Sequence, residues 1–275
     1  MREETNALSN WSLDNIPLDS IDHALVENRE DLFYLVVAAS FVEIASDLYT
    51  DNLAKYFEGD HEVVDWLVNR WQVEEIRHGR SLRAYARHAW PDFDWESAYS
   101  GFFAEYSHLC TLDQFEPTRG LEMVARCVVE TGTATLYQTL AQQTEEPVLA
   151  GIATRIRADE INHYKHFYRY FRKYNAINPA GRLRIFSAIR RRLFEARQDD
   201  AVCALWHAYL IRNPAANAGK PQFRALCTQL GRQVRQHYPI TMAARMLLKP
   251  LSLPAGLART VEGPVAKLTA LVLRH

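Results

Sequence analysis

Two short segments of the chain pair a carboxylate with an imidazole at the same spacing. The first is Glu75-x-x-His78 and the second is Glu160-x-x-His163. On an α-helix, residues i and i+3 lie on one face, so each segment directs one carboxylate and one imidazole to the same point. One such segment is common by chance in a charged helical protein. Two copies with matching surroundings are far less common and indicate a shared site.

The surroundings of the two segments match as well. A lone glutamate, Glu43, lies 32 residues before Glu75, and Glu130 lies 30 residues before Glu160. In chain order the pattern is Glu, Glu-x-x-His, Glu, Glu-x-x-His, which is the ligand set of a carboxylate-bridged di-iron site in a four-helix bundle. The predicted metal ligands are Glu43, Glu75, His78, Glu130, Glu160 and His163.

The expected cofactor is a pair of iron ions that alternate between Fe²⁺ and Fe³⁺, because iron accepts both carboxylate and imidazole ligands. Glu75 and Glu160 are predicted to bridge the two ions, and Glu43 and Glu130 to bind one ion each. Four carboxylates balance the charge of two Fe²⁺ ions, which makes a buried site tolerable. Manganese in one position is an alternative, since such sites accept several metals.

An alternative interpretation is that these side chains form salt bridges between helices. Glu43 argues against it, because its neighbours Phe41, Val42, Ile44 and Ala45 are apolar and a lone buried glutamate is costly without a strong partner.

Three further residues are expected near the site. Glu74 and Asp159 precede the two bridging acids and are predicted to bond the free ring nitrogens of the histidines, or else to be solvated helix charges. Thr133 lies one turn after Glu130, so its hydroxyl either faces the same cavity in a catalytic role or bonds back to its own helix.

Long helical segments separated by proline and glycine are predicted to position these side chains. Their predicted bounds are Glu30–Phe57, His61–Trp90, Thr118–Thr144 and Pro147–Tyr174, with shorter helices at Trp95–His108, Arg182–Gln198, Ala201–Arg212 and Gln222–His237. No segment alternates like a strand, so the predicted class is all-α. The predicted organisation is an irregular segment over residues 1–29, a di-iron four-helix bundle over 30–178, and a C-terminal helical extension over 179–275 that packs on the bundle.

Composition sets the remaining expectations. The 275 residues are 48% hydrophobic, enough for a large core. No Cys-x-x-Cys occurs among the four cysteines, and the N-terminus lacks the apolar region of a signal peptide, so a cytoplasmic protein is expected. The longest apolar run, Phe33–Val42, is too short to span a bilayer, which needs about 20 residues, so no transmembrane segment is predicted.

Charge is unevenly distributed along the chain. From residue 176 on there are 16 Lys/Arg against 4 Asp/Glu, although the whole chain has a net charge of −1. This basic part either neutralises the acidic part or meets an acidic partner. No nucleic-acid partner is expected, because no known reading motif accompanies the charge.

The residues around the predicted ligands resemble those of the soluble acyl-acyl-carrier-protein desaturases. The resemblance rests on Trp71-x-x-Glu74-Glu75-x-Arg77-His78-Gly79, Glu130-x-x-Thr133 and Asp159-Glu160-x-x-His163, and it covers about Glu30 to Arg172. The stretch Thr144-Glu145-Glu146-Pro147 through Glu160 is similar to bacterial, including mycobacterial-type, members. Asn162 and Tyr164 depart from the family pattern, which usually has an Arg and an acid there.

The resemblance implies a fold, a reaction and partners. The fold is a ferritin-like four-helix bundle with additional C-terminal helices, in a homodimer. The reaction is O₂-dependent desaturation of an acyl chain carried on acyl carrier protein, with electrons from a ferredoxin-type donor. The ligands and the active-site threonine of the family correspond to the six ligands above and to Thr133.

Other features bear on substrate and partners. Tyr137, Phe167, Phe171 and Val36–Phe41 either line an apolar substrate channel or belong to the core, and Trp71 either serves an electron path or packs between helices. A surface for the carrier protein is predicted at Arg182, Arg184, Arg190, Arg191 and Arg192, the alternative being a solvated helix face. Alternative functions are a di-iron hydroxylase or N-oxygenase of a tailoring pathway, and a ferroxidase or iron-binding ferritin-like protein.

Overall fold

The computed structural model describes residues 11–110, 115–195, 200–214 and 219–254, together with Gly256 and Gly263. Within these ranges the regular structure is helical and contains no strand, which confirms the predicted all-α class. Three short 3-10 helices precede the first α-helix, and another, Lys249–Leu251, follows the last one. The α-helices are α1 (Glu30–Ile44), α2 (Ser46–Tyr56), α3 (His61–Trp66), α4 (Gln72–Ala89), α5 (Trp95–Tyr106), α6 (Arg119–Gln143), α7 (Pro147–Ile177), α8 (Arg182–Glu195), α9 (Asp200–Arg212), α10 (Lys220–His237) and α11 (Ile240–Leu248).

Side-chain caps begin several of these helices. Asp60, Asp94 and Thr118 each accept a hydrogen bond from a backbone N–H in the first turn of the following helix. The carboxylate of Glu146 accepts two such bonds at the start of α7, where Pro147 supplies the first residue. These bonds satisfy N–H groups that have no partner inside the helix, so the sequence sets the starting points locally.

Four helices surround one central region, and their directions follow from the residues in contact. Helix α1 runs opposite to α4, because Phe33 packs against Trp90 while Glu43 lies near His78. Helix α6 runs opposite to α7, to which the three-residue link 144–146 joins it directly.

The two helix pairs are related by polar contacts between α4 and α6. Trp71 donates a hydrogen bond to Glu130, and Tyr85 donates one to Glu146. Both residues of the second contact lie later in the sequence than their counterparts in the first. Helices α4 and α6 therefore run in the same direction, and α1 and α7 run in the opposite one.

The prediction of one continuous helix over Glu30–Phe57 is wrong. Helix α1 ends at Ile44, and Ala45 interrupts the helical path before α2 begins at Ser46. The sequence has no proline or glycine there, so it carries no signal for the break. The interruption lies where α1 passes against Gly79 of α4, directly after Glu43.

The predicted helix over His61–Trp90 is helical from His61 to Ala89, but it is not a regular α-helix. A π-helical turn at Leu67–Trp71 separates α3 from α4. Such a turn inserts an extra residue and changes which side chains face inward. Here it ends at Trp71, whose indole contacts Glu130, immediately before the first acid–histidine segment.

Two apolar clusters lie along the bundle. One contains Phe33, Val36 and Phe41 of α1 with the first half of α7, and the other contains the first third of α6 with Phe167 and Phe171 of α7. On α4, α6 and α7 the residues predicted to bind metal lie between these clusters, whereas Glu43 of α1 lies between Phe41 and Ala45 of the first cluster. The band of polar residues is thus enclosed by core on both sides.

The later helices pack on the outside of this arrangement. Helix α9 lies against α1 and α5, and helices α8 and α11 lie against α6. Among the described residues, Glu30–Tyr56 is long and apolar enough to cross a membrane by length and composition. Of its most apolar window, 61% is buried inside the protein, as in a core helix.

Replacing Gly79 by alanine is expected to destabilise the fold. An added Cβ would lie 2.6 Å from the backbone nitrogen of Ile44 and 3.0 Å from the Cβ of Glu43. Backbone must then move, and we expect a loss of about 1–3 kcal/mol in the free energy of unfolding, measured by urea titration. Gly132→Ala on α6 is the matched control, because nothing lies within 4 Å of its Cβ. That substitution should be neutral or stabilise by up to about 1 kcal/mol.

Candidate metal centre

The structure brings the six residues predicted to bind metal into one buried cluster. They come from four helices: α1 and α6 contribute one glutamate each, and α4 and α7 contribute a glutamate and a histidine each. None is more than 7% exposed. Four carboxylates and two imidazoles thus share a space that water does not freely enter.

The six side chains form two overlapping groups of four. The first group is Glu43, Glu75, His78 and Glu160, and the second is Glu75, Glu130, Glu160 and His163. In each group, one ligand atom per residue lies within 4.8 Å of all the others. Glu75 and Glu160 belong to both groups, which is the arrangement of two bridging carboxylates between two ions.

Distances around the histidines fit a coordination sphere. The Nδ1 atom of His78 lies 3.1 Å from Glu160 Oε1 and 3.7 Å from Glu43 Oε2. The Nδ1 atom of His163 lies 3.0 Å from Glu75 Oε1 and 3.5 Å from Glu130 Oε2. Two ligand atoms that are each about 2.1 Å from one ion are about 3.0–4.2 Å apart, so these distances leave room for an ion.

The hydrogen bonding within the cluster leaves one atom of every residue without a partner. Although several of the distances are short, the orientations are not those of hydrogen bonds. Buried polar atoms with no hydrogen-bond partner are costly, so this pattern calls for a ligand that is not a hydrogen-bond donor. Among the described residues, the unpartnered atoms here are Glu43 Oε2, Glu75 Oε1, His78 Nδ1, Glu130 Oε2, Glu160 Oε1 and His163 Nδ1.

The electrostatics of the cluster favour a cation. Burial, followed by the charges of Glu160 and Glu43, raises the pKa of Glu75 well above its ordinary value. Burial and the charge of Glu160 raise the pKa of Glu130 to about 8. Burial opposes ionisation of Glu160 too, but contacts with both histidines hold its pKa well below the usual range. Without a metal, the negative charge of the carboxylates must therefore be balanced by bound protons and by the imidazolium groups. Two divalent ions would balance that charge instead.

Glu74 and Asp159 contact the outer nitrogens of the two histidines. The Nε2 atom of His163 lies 2.9 Å from Glu74 Oε2, and Nε2 of His78 lies 3.1 Å from Asp159 Oδ2. Each acid thus bonds the histidine of the opposite helix, α4 to α7 and α7 to α4. Because each acid bonds Nε2, each ring is held with Nδ1 toward the cluster. In metal sites, carboxylates that bond the outer nitrogen of a histidine ligand orient the ring in the same way.

The hydroxyl of Thr133 faces the cluster. Its Oγ1 lies 2.6 Å from Glu160 Oε2, closer than the carbonyls of Val129 and Glu130 at 3.4 and 3.3 Å. A hydroxyl has one proton to donate, so the short contact with the carboxylate takes it.

Three residues that complete the site had not been predicted in these roles. Tyr137 donates a hydrogen bond to Glu43, and Trp11 donates one of 2.9 Å from its indole to Asp159. Arg77 bonds the same Asp159 carboxylate at 2.9 Å and lies over the Trp11 ring. No local signal identifies Trp11, because it is 148 residues from its partner.

The aromatic residues predicted to line a channel are packed in the core. Tyr137, Phe167 and Phe171 are all buried, as is the α1 segment over Val36–Phe41 except for Ala39. The Trp71 ring packs against Phe167, as one of its two predicted roles requires, and its indole N–H donates a hydrogen bond to Glu130.

The five arginines predicted to bind a carrier protein have different environments on α8. Arg182 donates to the carbonyls of Leu251 and Ser252, and Arg191 forms an ion pair with the buried Glu116. Arg192 is buried, so its inclusion in a docking surface is wrong: a guanidinium inside the protein is not available to a partner. Arg184 and Arg190 have exposed side chains.

No model of a known protein family matches this chain, and no curated protein matches it.

Proposed function

We propose that the chain is a di-iron, O₂-dependent oxidoreductase that desaturates an acyl chain carried on acyl carrier protein. The observation that carries the proposal is the buried cluster of six ligands in two groups that share Glu75 and Glu160. When bound, two iron ions would supply redox equivalents and open coordination positions for the reduction of O₂. The chain's own side chains hold, orient and shield that centre.

The arrangement of helices supports a ferritin-like bundle. In chain order α1, α4, α6 and α7 run up, down, down and up, with a long connection between the second and third. Carboxylate di-iron bundles place a glutamate on each of two helices and a Glu-x-x-His on each of the other two. That is the distribution over these four helices.

Residues around the ligands support redox chemistry. A hydrogen-bonded chain runs from the indole of Trp11 through Asp159 to the Nε2 atom of His78, and Trp11 stacks parallel to that imidazole. This chain offers a route by which electrons from a ferredoxin-type donor reach the buried centre. Thr133 can hold a proton at Glu160 Oε2, at the edge of the cluster.

The surface of α8 supports a carrier protein as the bearer of substrate. Arg184 and Arg190 are exposed, and Leu183 and Phe186 beside them are 86% and 52% exposed. Basic side chains next to apolar ones suit an acidic partner with an apolar contact helix. A homodimer, as the resemblance implies, is part of the same proposal.

The decisive experiment is the intact mass of acyl carrier proteins of several chain lengths after incubation with iron-loaded protein, ferredoxin, reductase and O₂. Loss of two hydrogens on one chain length establishes a desaturase and identifies its substrate. Gain of one oxygen identifies a hydroxylase instead. If no carrier changes mass while two irons per chain are present in the same sample, the carrier-protein substrate is refuted, and amines or iron itself become the substrates to test.

Replacing Thr133 by valine is expected to lower turnover and leave the metal in place. Valine keeps the shape of threonine but removes the hydrogen bond to Glu160. Loss of such an outer partner typically costs about 10–100-fold in activity or metal affinity, and we expect the loss in product formed per minute by the iron-loaded protein. Thr131→Val is the matched control, because the Thr131 hydroxyl bonds only its own helix, at the carbonyl of Cys127. Equal rates for the two variants would contradict a role for Thr133.

A further inference from the structure

A second group of metal-binding side chains lies between α5 and α9. Glu105 comes from α5, and Cys203 and His207 come from α9. Residues i and i+4 share one helix face, so the thiol and the imidazole both face α5. The three ligand atoms lie within 4.8 Å of one another. The group shares no residue with the six-ligand cluster.

The packing of the two helices holds the imidazole in place. The Nε2 atom of His207 lies 2.9 Å from Glu105 Oε2. Beneath the ring is Gly101, one turn before Glu105, where an added Cβ would come within 2.7 Å of His207 Nδ1. A side chain at this position would displace the imidazole from where it lies. The ring is thus positioned by backbone as well as by its carboxylate partner.

The three ligands differ in depth. Cys203 is 6% exposed and the His207 side chain is 16% exposed, whereas the Glu105 side chain is 56% exposed. A soft sulfur ligand therefore lies inside and a hard carboxylate lies at the surface. An ion between them would lie close to the surface, on the side of Glu105.

An ion pair joins His207 to Glu105, and Cys203 adds a sulfur atom within 4.8 Å of a ligand atom of each of them. A sulfur, a nitrogen and an oxygen ligand together are typical of Zn²⁺, which binds Cys, His and carboxylates and keeps a water molecule where the protein supplies three ligands. We propose that Glu105, Cys203 and His207 form a Zn²⁺ site that joins α9 to α5.

Binding at this site would fasten α9 to the bundle. Helix α9 also packs on α1, the helix that carries Glu43. The ion would therefore stabilise the outer wall of the metal centre. The site is distinguished from that centre by chemistry, because the six-ligand cluster contains no sulfur.

Cobalt is the probe that separates the two sites. When Co²⁺ is added to the full-length protein, a thiolate ligand gives a sulfur-to-cobalt charge-transfer band in the near ultraviolet, which oxygen and nitrogen ligands do not give. We expect this band in the wild type, its loss in Cys203→Ser, and its disappearance on addition of Zn²⁺. Cys227→Ser removes a partly buried thiol of α10 outside the group and should leave the band unchanged.

A surface variant keeps the test independent of folding. Glu105→Gln changes an exposed side chain, and we expect the band to form only at Co²⁺ concentrations about tenfold higher, a shift equivalent to 1.4 kcal/mol. Absence of the band in the wild type, or its persistence in Cys203→Ser, overturns the proposal. If circular dichroism shows that Cys203→Ser does not fold, unchanged cobalt affinity in both Glu105→Gln and His207→Gln overturns it equally.

Discussion

The proposed di-iron site predicts that Glu160→Ala lowers the iron content of the protein from two ions per chain to none. Glu160 belongs to both groups of ligands, and its two oxygens face His78 and His163 separately. Without it, each ion loses a ligand, and Glu75 is the one residue of the cluster left to bridge the two groups. The measurement is iron per chain after anaerobic loading and gel filtration. The rate of substrate oxidation should fall to the uncatalysed level in parallel.

Variants of the unshared ligands provide the contrast. Glu43→Ala and Glu130→Ala should each release one ion, because each residue belongs to a single group. Glu146→Gln is the matched control: this carboxylate is fully buried as well, but it caps α7 and bonds Tyr85. That variant should keep two ions. Two ions retained in Glu160→Ala, or equal losses in all three cluster variants, would contradict the bridging role.

Removal of metal is expected to lower the melting temperature more than any surface substitution could. A ligand that binds only the folded state stabilises it by about 2.7 kcal/mol when present at a hundred times its Kd. Two ions then contribute about 5 kcal/mol. In a protein of this size each kcal/mol corresponds to about 2–4 °C, so chelation should lower Tm by about 10–20 °C. Differential scanning calorimetry with and without chelator measures the change.

The physical reason is the charge inside the cluster. Burial and mutual repulsion raise the pKa values of Glu75 and Glu130. Bringing these carboxylates together without metal therefore raises the free energy of the folded state. Anaerobic addition of Fe²⁺ should restore the melting temperature. In Glu160→Ala neither chelator nor Fe²⁺ should change it by more than a small amount. A wild-type Tm that is indifferent to chelator would show that the cluster does not bind metal in solution.

Helix-local information was enough to predict much of the fold and the composition of the site. The caps at Asp60, Thr118 and Glu146 act on N–H groups two or three residues away, so helix starts were predicted to within a residue or two. The π-helical turn at Leu67–Trp71 and the break at Ala45 were not predicted. Both depend on how neighbouring helices pack, and neither contains a proline or glycine.

The six ligands show what the sequence by itself determined. The i, i+3 spacing of Glu75 with His78 and of Glu160 with His163 defines a helix face without reference to the rest of the chain. The apolar neighbours of Glu43 mark its helix as buried. Those two properties are local, so the chemistry of the cluster could be inferred from residue type and spacing alone.

Only the tertiary structure decided which partners complete the sites. It paired Glu74 with the histidine of α7, brought Trp11 to Asp159, buried Arg192 and placed Cys203 within 4.8 Å of Glu105. Each of these contacts links residues on different helices or in different segments, and helical periodicity does not specify which faces of separate helices meet. That choice is made by the packing of the whole core, where side-chain volumes, backbone approaches such as the one at Gly101, and the cost of unpaired buried groups act together.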